Sequence, residues 1–220
     1  MKKLLVLLMA LIMSVSILSA CKKDSGSEED KQLVKDIVSM YIESLLDGDA
    51  DAGNFVAEGT GYLHVAEKAV SDQRELVAVF EDVRAIPDDR IEEVSKLRGE
   101  ALEKYTKMFD YKIGDAKVKG EKAEVTVKMT APDVSRVKEF KGYADEESKK
   151  GFTQEEIQKI LSFENVVDIP KETFLKAETL RFEALMKNIA DSVCEKEITY
   201  ELKKTENGWL IAGETSKKVK

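Results

Sequence analysis

Between Ala123 and Thr130 the chain alternates strictly, with Ala123, Val125, Val127 and Met129 apolar and Glu124, Thr126, Lys128 and Thr130 polar. A period of two puts successive side chains on opposite faces of an extended strand, so this run demands a sheet with one buried and one wet face. Gly120-Glu121-Lys122 supplies a turn from a preceding strand near Tyr111–Lys119. A second hairpin closes the chain: Ile198, Tyr200 and Leu202 alternate with Thr199, Glu201 and Lys203. There Asn207-Gly208 predicts a type I′ turn before Trp209-Leu210-Ile211 returns.

Elsewhere the period is helical. Leu33, Ile37, Tyr41 and Leu45, flanked by Val34, Val38 and Ile42, recur on one face until Gly48. After a loop from Asp47 to Gly61, a second helix carries Leu76, Val79, Phe80 and Val83 and breaks at Pro87. Asp88 or Asp89 is a candidate cap for a third helix, which spaces Ile91, Val94, Leu97, Ala101, Leu102, Tyr105 and Met108 at 3.6 residues. Pro132 ends the first hairpin, and Gly142 to Lys150 reads as a charged loop. Thr153-Gln154-Glu155-Glu156 is a capping box opening a short helix through Leu161, and Pro170 precedes another helix with Phe174, Leu175, Leu185, Met186 and Ile189. Helices first, then antiparallel hairpins divided by a helical insertion, make an α+β fold rather than α/β. The reading is one domain over residues 31–220, with the insertion at about 133–193.

The N-terminus has its own logic. Met1-Lys2-Lys3 is followed by a stretch without charge from Leu4 to Ala20, the pattern of a secretory signal, and residues 1–20 are therefore set aside from the fold. A spanning helix wants ~20 apolar residues; this stretch is shorter, is diluted by Ser14, Ser16 and Ser19, and runs into Lys22-Lys23-Asp24. Leu18-Ser19-Ala20-Cys21 resembles the lipobox of bacterial lipoproteins. That resemblance implies cleavage before Cys21, lipidation of its sulfur, and anchoring at the outer face of the bacterial cell membrane. The competing reading is an ordinary small-residue cleavage site that precedes a cysteine. Residues 21–30, polar and carrying Gly and Ser, read as a flexible tether.

Charge narrows the partners. The chain carries −8 in total, and loss of Lys2 and Lys3 with the signal takes it to −10. Polyanion binding needs clustered cations, so nucleic acid is excluded. The same balance leaves acyl chains as the membrane signal, with an unknown protein or small molecule as the remaining kind of partner. With Cys21 acylated, Cys194 is the one free thiol; opening a strand-like run, it reads as structural rather than nucleophilic.

Asp47, Asp49, Asp51 and Glu58 occupy positions 1, 3, 5 and 12 of a calcium-loop register. Ala52 stands where glycine makes the sharp turn and Asn54 where an apolar residue packs inward. The simpler reading is a helix end at Gly48 followed by a solvated acidic loop, with calcium as the alternative. His64, the single histidine, shares a helical face with Glu67, too few ligands for zinc. Asp110, Tyr62, Tyr105, Tyr111 and His64 are the residue types an acid–base pocket would use, but spacing does not unite them. No phosphate-cradling glycine loop and no serine-nucleophile motif occurs in the sequence. The expectation is a non-enzymatic binding module without cofactor, metal or catalytic residue. A small-molecule isomerase or dehydratase is the alternative and a calcium-dependent module the third.

Three short patterns in a common order carry a resemblance: Leu46-Asp47-Gly48-Asp49 after the first helix, Val118-x-Gly120-x-x-Ala123-x-Val125-x-Val127, and Asn207-Gly208-Trp209-Leu210-Ile211. They resemble the nuclear-transport-factor-2-like fold, of the cystatin-like α+β kind, as found in poorly characterised exported lipoproteins. The likeness covers residues 31–131 and 194–214. It implies a curved antiparallel sheet wrapped by helices into a cone whose mouth holds a ligand or partner. The long stretch from Asp133 to Val193 departs from that pattern.

Overall fold

The computed structural model describes residues 26–81 and 86–219. Cys21, the signal residues, the first part of the tether and Val83 lie outside the described residues. The fold is α+β, with four strands in the order β1 (Asp110–Lys119), β2 (Lys122–Ala131), β3 (Cys194–Thr205) and β4 (Gly208–Lys218). Six α-helices stand among the described residues: α1 (Glu28–Leu46), α2 (Tyr62–Glu81), α3 (Ile91–Thr106), α4 (Val137–Lys149), α5 (Gln154–Leu161) and α6 (Lys171–Asp191). The last three fill the interval between the hairpins. The described residues form two compact units, one made of those up to Val70 with Tyr111–Met129 and Lys196 onward, the other of Ser71–Asp110 and Thr130–Glu195.

In the first unit, α1 lies along the sheet. Val34, Ile37, Val38, Tyr41 and Ile42 form its buried stripe, and they meet Ala116 and Val118 of β1, Val125 and Val127 of β2, Ile198 and Tyr200 of β3, and Trp209 and Ile211 of β4 in one core. Glu121 of the first turn bonds to Lys204 while Thr126 meets Thr199, so β2 and β3 run in opposite directions. At the first turn Gly120 sits at φ 58°, a value that glycine adopts without strain. The second turn differs from the sequence reading. Thr205 pairs with Gly208, which leaves Glu206 and Asn207 at its centre and Gly208 in the strand at φ 113°. Thr205 Oγ1 accepts from the Asn207 N–H and donates to the Gly208 carbonyl, a local bonding pattern that favours this arrangement over a turn centred on Asn207-Gly208. Beyond it the β3–β4 register shifts: Leu202 faces Ile211 and Glu201 faces Gly213, so Ala212 is an extra, bulged residue.

The first helix begins at Glu28, five residues before Leu33, where its apolar stripe opens. Ser27 Oγ accepts from the Asp30 N–H at 3.0 Å and donates to Asp30 Oδ2 at 3.1 Å, a reciprocal cap. Asp30 also accepts from Trp209 Nε1 and Lys204 Nζ, each at 3.2 Å, which ties the helix start to the second hairpin. Gly26 N donates to the Val118 carbonyl, and a Cβ at Gly26 would collide with the Val118 side chain. The segment read as tether therefore ends in docked structure, since its capping residues outweigh its lack of apolar ones.

The second unit has its own core, from Leu76, Phe80, Ala101, Tyr105, Val137, Phe140, Ala144, Phe182, Leu185 and Ile189. The stretch read as a charged loop is the second half of α4. Val137, Phe140 and Ala144 keep helical spacing, so burial of that face overrides Gly142. Neither Asp88 nor Asp89 caps α3. Asp89 instead holds the buried Arg90, whose guanidinium donates to the Ile169 and Val167 carbonyls and stacks over Phe174. The Thr153–Glu156 capping box forms as expected. The buried Arg98 and the half-buried Glu178 make an ion pair at 3.0 Å, with the guanidinium over Phe182.

Candidate functional site

Polar groups from four elements converge at one end of the first unit. α1 brings Tyr41, the start of α2 brings Tyr62, β3 brings Tyr200 and β4 brings Glu214. Tyr41 and Tyr200 face into the core because they continue its apolar stripes, and their rings meet edge to face with centroids 5.7 Å apart. The hydroxyls of Tyr41 and Tyr62 lie 2.9 Å apart, and Tyr62 Oη donates to Glu214 Oε2 at 2.6 Å. A hydrogen-bonded line thus runs from a buried phenol to a surface carboxylate.

Glu214 reaches this line through the bulge. Trp209 and Ile211 face inward, and strict alternation from them would turn Glu214 outward. The extra residue at Ala212 resets the alternation, so Glu214 stands opposite Tyr200 and shares its face. Burial is the largest cause pushing the hydroxyls of Tyr41, Tyr62 and Tyr200 above the ordinary tyrosine range, and the Glu214 charge adds to it in each. All three stay protonated at neutral pH. The hydroxyls of Tyr41 and Tyr62 carry the hydrogen bonds, Tyr200 contributes its ring, and the exposed Glu214 offers a carboxylate to solvent.

Of the acid–base candidates, Tyr62 alone belongs to this cluster. His64 and Asp110 are exposed. Tyr105 donates to Gln73 Oε1 at 2.7 Å in the second unit, and Tyr111 is half-buried and donates to Glu43 at 3.0 Å. Tyr41, Tyr200 and Glu214 escaped the sequence reading: the first two looked like core residues, which they also are, and only the small pair Ala212-Gly213 hints at a bulge. In the acidic loop Asp49 caps a 3-10 helix over Ala50–Phe55 by accepting from the Asp51 N–H, Asp51 accepts from Asn54, and Ala52 is fully buried. Among the described residues no three His, Cys, Asp or Glu side chains are placed to hold a metal ion. Cys194 is a half-buried free thiol at the start of β3. Among the described residues no helix is long and apolar enough to cross a membrane.

No family model, curated protein or solved structure matches this chain.

Proposed function

We propose that this chain is an exported lipoprotein, held at the outer face of the bacterial cell membrane by acyl chains on Cys21, whose folded part is a binding module. The observation that carries the reading is Leu18-Ser19-Ala20-Cys21 at the end of an uncharged stretch that follows Lys2-Lys3. Each buried methylene contributes about 0.8 kcal/mol, so two or more chains convert marginal attachment into stable anchoring. The order of helix and hairpins, with α1 lying along a four-stranded sheet, supports membership of the nuclear-transport-factor-2-like lipoproteins. The Tyr62–Glu214 cluster supports recognition over catalysis. Its phenols are held protonated and its carboxylate is exposed, whereas a general base wants a desolvated acid or a phenolate. A ligand presenting a cation or hydrogen-bond donors to Glu214 fits this chemistry.

Expression of the full chain in a bacterium fed a clickable fatty acid tests the anchor. The wild-type chain is expected to take up label and fractionate with membranes, and Cys21→Ala to do neither while its far-ultraviolet circular dichroism stays that of a folded protein. Label retained in Cys21→Ala, or wild-type protein without label, overturns the reading.

A further inference from the structure

We infer that the first unit stands on the lipid surface by its two hairpin turns and points the Tyr62–Glu214 cluster away from the bilayer. This rests on the lipid anchor at Cys21 proposed above. Gly26 is seated: its N–H donates to the Val118 carbonyl, and its Cα packs so close to the Val118 side chain that a Cβ finds no room. From Cys21 to Gly26 is five residues, which reach at most about 18 Å when fully extended. Val118 is two residues from Gly120 at the first turn, about 7 Å further along the strand. The second turn is fixed to the same end, because Asp30, in the first turn of α1, binds both Trp209 and Lys204. Both turns therefore lie within a short tether's reach of the acylated sulfur.

Two independent paths place the cluster at the opposite end. α1 rises about 1.5 Å per residue, so Tyr41 stands about 20 Å beyond Glu28. Along β4, Glu214 lies six residues past Gly208, about 18 Å at strand rise with the bulge allowed for. Charge agrees with the placement. The turns carry Lys119, Lys122, Lys203 and Lys204 against Glu121 and Glu206, and the helix start carries Glu28, Glu29 and Asp30 against Lys31. That end is near neutral in a chain whose charge of −8 becomes −10 once Lys2 and Lys3 are lost with the signal, so it meets anionic headgroups without the repulsion the rest of the chain would feel.

Single cysteines at Glu206, in the second turn, and at Thr215, paired with Thr199 near the cluster, test this in a Cys194→Ser background. Both positions are exposed. The lipidated full chain, carrying a maleimide fluorophore at one site, is reconstituted into phosphatidylcholine vesicles containing a headgroup-region nitroxide lipid. Fluorescence of the Glu206→Cys label is expected to be quenched several-fold more than that of Thr215→Cys. Equal quenching, or stronger quenching at residue 215, in protein that floats with the vesicles overturns the orientation while leaving the anchor intact. Protein that does not float overturns the anchor and the orientation with it. If Glu206→Cys disturbs its turn, Glu121→Cys in the other turn gives the same readout.

Discussion

Replacing Asp30 should unfasten the start of α1 from the second hairpin. Its carboxylate accepts from Trp209 Nε1, from Lys204 Nζ and from Ser27 Oγ. Trp209 is 3% exposed, and removing the acceptor from a buried indole N–H costs about 1–3 kcal/mol, the lower part of that range where water can enter. The Lys204 pair adds a fraction of about 1 kcal/mol, since the lysine side chain is 39% exposed and screened. Loss of an acid from the first helical turn adds a few tenths of a kcal/mol. Asp30→Ala should therefore lose about 2 kcal/mol, and Asp30→Asn, which keeps an acceptor for Trp209, about half of that. Urea unfolding followed by fluorescence reports the first unit directly, because Trp209 is the single tryptophan.

The pH dependence of Asp30 carries a sign. Burial alone would raise the carboxyl, but the bonds from Trp209, Lys204 and Ser27 outweigh it and hold the group below its ordinary value. A carboxylate depressed on folding stabilises above its unfolded value, about 3.9, and loses that contribution as pH falls through the folded value. The gap between wild type and Asp30→Asn should be full at pH 6 and shrink toward zero near pH 2. An equal midpoint for Asp30→Ala and wild type, or a gap to Asp30→Asn that widens on acidification, would refute the reasoning.

Tyr62→Phe leaves the Tyr41 hydroxyl, on a side chain 1% exposed, without its bonded neighbour and should cost about 1–2 kcal/mol by thermal unfolding; unchanged stability would sink the hydrogen-bonded line. Tyr41, Tyr62, Tyr105 and Tyr200 are all pushed upward by burial, so their stabilising effect is complete below about pH 10 and is lost as pH rises. Absorbance at alkaline pH should show these four ionising only as the protein unfolds, and smooth ionisation of all six tyrosines of the chain in the folded state would contradict their burial. Arg98→Ala leaves Glu178, whose side chain is 14% exposed, with Arg181 at 3.9 Å as the remaining ion-pair partner. A loss of about 2–4 kcal/mol is expected from calorimetry, and no loss would mean that the pair is solvated.

Much of the fold was legible because periodicity reports burial directly. Leu33 to Leu45 had to be a helix and Ala123 to Thr130 a strand, since no other geometry puts those side chains on one face. Sequence pattern and structure part where local signals compete with tertiary burial. Gly142 and a run of charges read as a loop, yet Val137, Phe140 and Ala144 are buried together and carry the helix through them. Ser27 and Asp30 lack apolar surface and so carry no periodic signal, yet capping and the contact with Trp209 order them.

By itself the sequence determined the α+β order of elements, the two hairpins, and the N-terminal pattern from which the anchor is proposed, for each of these is written in contiguous residues. It did not determine which side chains meet. Tyr41, Tyr62, Tyr200 and Glu214 come together only because α1 lies along the sheet and one extra residue at Ala212 turns Glu214 to the inner face. A bulge shifts the face of every residue that follows it, and beyond the hint of the small pair Ala212-Gly213 its position is settled by pairing with another strand.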